Sequence, residues 1–67
     1  MGVSYKKLWK LLIDKGFNKT TLREAGIHPT SIAKMGRNEY VSMEVINKIC
    51  NILNCDFGDI IEHIKDE

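Results

Sequence analysis

The chain has 67 residues, 43% of them hydrophobic, with a single proline and a formal net charge of +1. That length holds one domain at most, near the lower limit for folding without disulfides or a metal. No apolar run approaches a membrane span and the first residues read as polar rather than as a signal peptide, so a cytoplasmic protein without a membrane partner is expected.

In chain order the sequence predicts five helices and an all-α fold. Ser4 is a suitable N-cap for the first, from Tyr5 to Lys15, which Gly16 ends. Tyr5, Leu8, Trp9, Leu12 and Ile13 follow the i, i+3, i+4 rhythm of a buried stripe, with Lys6, Lys7, Lys10 and Asp14 opposite. Asn18 caps the second helix, Lys19 to Ala25, and Phe17 before it is expected to pack inward. The third runs from Pro29 to Met35 and stops at Gly36. Ser42 caps the fourth, Met43 to Leu53, whose stripe Val45, Ile46, Ile49, Cys50 and Leu53 marks it as the centre of the core. Asn54, able to turn left-handed, ends it. Asp56 caps a fifth helix from Phe57 to Ile64, with Phe57, Ile60, Ile61 and Ile64 on its apolar face. Few alternating runs and no Asn-Gly or Asp-Gly turn argue against strands.

Two cysteines, Cys50 and Cys55, are too few for a disulfide framework, and no Cys/His cluster has zinc spacing. They read as reduced thiols of the core. The charge is lopsided: residues 1–38 carry eight Lys/Arg and two acids, a net of +6, while residues 39–67 carry two Lys and seven acids, a net of −5. Such polarity orients a small protein on a polyanion, basic side inward.

The basic half contains the most informative stretch, residues 18–36. Lys19, Thr20 and Thr21 open a short helix that Leu22 anchors, and Gly26 permits a sharp turn. Pro29 stands at the first position of the next helix, where proline is best tolerated. Ile32 and Met35 face inward, leaving Thr30, Ala33 and Lys34 outward. A helix, a tight turn and a second helix with a small-residue outer face among cations suit a major-groove reader.

The turn Ala25-Gly26-Ile27 and the run Ser31-Ile32-Ala33-Lys34-Met35-Gly36 resemble the lambda-repressor/Cro type of helix-turn-helix regulator, the XRE family. The segments LWKLLIDKG, SIAKMGRNEYVSMEVINKIC and LNCDFGDIIE are similar to a group of very short bacterial and mobile-element regulators. The resemblance spans Val3 to Ile64 and implies a compact five-helix, lambda-repressor-like domain over residues 1–67, its second and third helices forming the DNA-binding unit. It also implies a transcriptional regulator that binds pseudo-palindromic operators as a dimer. Three residues separate Leu22 from Gly26 where the family pattern has four, so the second helix or its turn is expected to be tighter.

Carried onto matching positions, the recognition surface is His28, Pro29, Thr30, Ala33 and Lys34. The side-chain chemistry agrees. Thr30 can donate or accept at a base edge, Lys34 can reach guanine or a phosphate, and Ala33 permits close approach to a thymine methyl. Pro29 offers a rigid surface without an N–H. His28 takes an N-cap position that more often holds Ser or Thr; a neutral imidazole serves there, whereas a protonated one caps poorly. Phosphate contacts are expected from Asn18, Lys19 and Thr20 on one side, and from Arg37, Asn38 and Ser42 on the other. Lys6, Lys7 and Lys10 add only long-range attraction.

Catalysis is not expected: His28 and His63 are isolated, and neither a nucleophile elbow nor a phosphate-cradling glycine loop occurs. No cofactor, metal or small-molecule substrate is implied. The expected partners are a double-stranded DNA operator and a second copy, weakly paired in solution and strengthened on DNA through Phe57, Ile61 and Ile64. The alternative is a protein-binding module, antitoxin-like or anti-repressor, that keeps the fold without DNA binding.

Overall fold

The computed structural model describes residues 2–65, which form four helices and a two-stranded sheet. Strand β1 (Gly2–Ser4) leads into α1 (Lys6–Asp14), α2 (Lys19–Glu24), α3 (Pro29–Gly36) and α4 (Met43–Leu53). A 3-10 turn (Phe57–Asp59) then delivers strand β2 (Glu62–Ile64). The strands pair antiparallel, with Gly2 opposite Ile64, Val3 opposite His63 and Ser4 opposite Glu62. No helix among the described residues is long and apolar enough to cross a membrane.

The fold departs from five helices at its end. The expected Phe57–Ile64 helix breaks into the 3-10 turn and β2, and the strands that the sequence argued against are present. Gly58 costs a helix about 1 kcal/mol relative to alanine, and the β-branched Ile60, Ile61 and Ile64 suit extended backbone. Pairing with β1 gives this segment backbone partners that it would otherwise lack. Asp56 still caps, but caps the turn: its Oδ1 accepts from Phe57 N–H at 2.8 Å, and Asp59 Oδ2 accepts from Asp56 N–H at 2.9 Å.

The core gathers Leu8 and Leu12 of α1, Leu22 of α2, Ile32 and Met35 of α3, and Ile46, Ile49 and Leu53 of α4. Tyr5, Ile27 and Ile60 close it from the connecting segments. Ile60, fully buried, is what fastens the last segment to the helices. Two residues expected inside are not: Ile13 is 76% exposed and Phe17 38%. Ile13 stands roughly 140° around the helix from Leu8, beyond the stripe, and half-buried Leu11 takes the place beside Leu8 and Leu12. Ser4 belongs to β1 rather than capping α1 from the N-cap, which is Tyr5, although its Oγ accepts from Lys6 N–H at 3.3 Å.

All four helices stop in the same way. An N–H just past each helix reaches back five positions in the Schellman pattern: Phe17 to Leu12, Ile27 to Leu22, Glu39 to Lys34 and Cys55 to Cys50, at 2.8–3.0 Å. Gly16 and Gly26 supply the left-handed residue for the first two, and Asn38 (φ 57°) and Asn54 (φ 54°) for the others. Gly36, expected to stop α3, is its last helical residue; Asn38 makes the turn.

Candidate nucleic-acid interface

The side chain of Asn18 opens α2 through a reciprocal cap. Its Oδ1 accepts from Thr21 N–H at 3.0 Å while Thr21 Oγ1 accepts from Asn18 N–H at 3.2 Å. The following amides, at Lys19 and Thr20, have no intrahelical acceptor. The helix ends at Glu24 and the chain turns at once through Gly26 (φ 109°), while buried Leu22 and Ile27 pin the turn to the core. This is how the three-residue spacing between Leu22 and Gly26 is accommodated.

His28 caps α3 with extended backbone, its Nδ1 accepting from Thr30 N–H at 3.1 Å. With Nδ1 taken up by the cap, Nε2 is the ring nitrogen left uncommitted on this exposed residue. Pro29 follows at the first helical position, and Ile32 and Met35 turn into the core. Pro29, Thr30, Ala33 and Lys34 are all exposed. Every residue expected on the recognition surface therefore lies on the free side of α3 or at its cap.

Between α2 and α3 runs an open groove lined by Lys19, Thr20, Arg23, Pro29, Ala33 and Gly36. Phosphate candidates of one helix thus share a surface with base-contact candidates of the other. Arg23 joins them, a residue that sequence reasoning counted only as charge. Its position four residues after Lys19 places both cations on one face of α2, a signal that was legible.

Lys19 is not a free cation. Its ammonium lies 4.7 Å from the centre of the Trp9 ring, an arrangement worth about 0.5–1 kcal/mol at an exposed site. A Cβ at Gly36 would come within 3.6 Å of the same nitrogen, so the end of α3 closes the other side. Trp9 of α1, half-buried, therefore serves as the platform that holds a charge of α2 beside α3.

The other flank is more constrained. Arg37 Nε donates to Glu39 Oε2 at 2.7 Å, and Nη2 meets Oε1 at 3.4 Å. That hydrogen bond, then the charge of Glu39, raises the Arg37 pKa; the same bond and the nearby charges of Arg37 and Lys34 hold the Glu39 carboxyl below its ordinary value. Asn38 is a structural residue as much as a surface one: its Oδ1 accepts from Tyr5 N–H at 3.1 Å, leaving only its amide nitrogen free of that contact. Ser42 Oγ accepts from Val45 N–H at 3.2 Å, capping α4. Lys7, expected to act at long range, donates to the Gly58 carbonyl at 3.2 Å and ties α1 to the 3-10 turn. Phe57 (39% exposed), Ile61 and Ile64 are presented by the turn, the residue after Ile60 and β2, not by a helix.

The Cro/C1-type helix-turn-helix DNA-binding domain model matches residues 7–66. Among solved structures the chain is similar to transcriptional regulator VanUg at 55% identity and a TM-score of 0.91, covering 97% of this chain and 88% of that one. No curated protein sequence matches it. Nine-tenths of the chain falls within the family model, including all of α2 and α3 and the turn between them. The chain belongs to the Cro/C1-type helix-turn-helix DNA-binding domain family.

Proposed function

We propose that the chain is a sequence-specific double-stranded-DNA-binding transcriptional regulator that lays α3 in the major groove. One observation carries the reading: the exposed small-residue side of α3 shares its groove with Lys19, Thr20 and Arg23 of α2. Thr30, Ala33 and Lys34 read base edges, and His28 Nε2 and the rigid Pro29 border them. Lys19 and Arg23, with the first amides of α2, hold one phosphate strand. Arg37, the Asn38 amide and Ser42 hold the other.

A single short helix reads only a few base pairs, so the working unit on DNA is a two-fold dimer presenting two α3 helices about 34–36 Å apart. Self-contact uses the apolar surface of Phe57, Ile61 and Ile64. Pairing is weak in solution and strengthened by DNA through linkage.

The test is binding to random duplex DNA across a salt series. Affinity falling steeply with salt supports the reading, because displaced counterions accompany every phosphate contact. Absence of binding at low salt favours a protein-binding module that keeps the fold alone.

A further inference from the structure

The four helix ends differ in what their facing positions hold. In the Schellman turn the two residues joined by the outer N–H to carbonyl bond, five apart in the chain, face each other, and here those pairs are Leu12–Phe17, Leu22–Ile27, Lys34–Glu39 and Cys50–Cys55. Two pairs are apolar, one is oppositely charged, and the fourth consists of the only two thiols in the chain. Both are free. The Cys55 N–H to Cys50 carbonyl bond of 3.0 Å keeps the two Cα atoms within about 7 Å, close to the reach of roughly 4.4–6.8 Å that a disulfide spans.

From this placement we infer that Cys50 and Cys55 form a closable dithiol, a modification site at which a low-molecular-weight disulfide oxidises the pair to an intramolecular bond. The two thiols differ in access. Cys55 is partly exposed and borders an open depression with Lys7, Lys10 and Lys15, whose positive charge outnumbers that of Asp14 and Asp59 there. Cys50 is buried, and burial, then the adjoining Cys55, pushes its thiol up to about 11. Cys55 is therefore the attacking sulfur and Cys50 the resolving one.

The thiolate of Cys55 attacks one sulfur of the small disulfide, forming a mixed disulfide and releasing one thiolate. Cys50 then attacks the Cys55 sulfur, giving its proton to that thiolate and expelling the second. Two protein thiols are oxidised and one small disulfide becomes two thiols. The new bond joins the last turn of α4 to the segment entering the Phe57–Asp59 turn.

The folded protein is incubated with oxidised glutathione and analysed by intact mass and thiol alkylation, with helical content followed by circular dichroism. The wild-type chain should lose two hydrogens, both alkylatable thiols and no helix, and dithiothreitol should restore it. Cys50→Ala should retain a glutathione adduct at Cys55, and Cys55→Ser should stay unmodified. A wild-type chain that keeps the adduct, links to a second chain, or keeps both thiols alkylatable overturns the inference, and each of these is read without any variant.

Discussion

The backbone N–H of Tyr5 donates to Asn38 Oδ1 across 3.1 Å, tying together residues 33 positions apart in the chain. The phenol of the same tyrosine donates to the Glu39 carbonyl at 2.7 Å. The residue that enters α1 thus holds, by both ends, the loop that leaves α3. Asn38 meets two demands at once, a left-handed backbone and an acceptor for Tyr5. Asn38→Gly keeps the first and loses the second, and should cost about 1 kcal/mol in denaturant unfolding. Asn38→Ala loses both and should cost roughly 1–2 kcal/mol more.

Tyr5→Phe should cost about 1 kcal/mol by leaving the Glu39 carbonyl without its donor. Burial raises the pKa of the Tyr5 phenol above its ordinary 10.0, with a backbone contact to Val41 opposing. An acid whose folded pKa is raised favours folding while it stays protonated. The stabilisation is therefore complete at neutral pH and is lost only as pH climbs past 10.0 through the folded value. A wild-type minus Tyr5→Phe difference that is flat from pH 6 to 9 and shrinks above about 10 is the expected profile.

Glu39 pairs with Arg37 in the segment that follows α3. Glu39→Gln removes the competitor for the Arg37 phosphate contact, so binding to all duplexes should tighten and the salt slope should steepen by up to about one unit. Arg37→Gln should weaken binding to all duplexes and shallow the slope, and by more when Glu39 is already replaced. An unchanged slope in Glu39→Gln places Arg37 away from DNA.

Lys19→Gln should weaken binding to every duplex similarly and shallow the salt slope by about one unit. Trp9→Leu keeps the charge but removes its platform, so it should lower affinity less than Lys19→Gln while leaving the slope unchanged. Equal slopes in Lys19→Gln and wild type contradict the phosphate role.

The helix-turn-helix was legible because each of its boundaries rests on a local device: the Asn18 cap, the Gly26 turn, Pro29 at the first position of α3. For α4, Ser42 and Asn54 gave the same information, and Met43–Leu53 is observed as expected. The last segment was not legible, because the partner of Glu62–Ile64 lies at the opposite end of the chain and no hairpin turn announces it. Its isoleucines also satisfy a helical rhythm, so periodicity alone favoured the wrong element. Ile13 was misread for a related reason: a stripe extended by one residue crosses to the solvent side. In the candidate site the outward residues of α3 followed from Ile32 and Met35 facing in. What composition could not show was engagement between side chains, with Arg37 held by Glu39, Lys19 by Trp9 and Asn38 by Tyr5.

The most direct measurement selects bound sequences from random duplex DNA and then compares the preferred site with a scrambled one for wild type, Thr30→Ala and Lys34→Ala. Specific reading by α3 predicts a two-fold symmetric motif with half-sites about 10 base pairs apart. Each variant should then lose about 1–3 kcal/mol on the preferred site and much less on the scrambled one. No enriched motif, or equal losses on both duplexes, would contradict it.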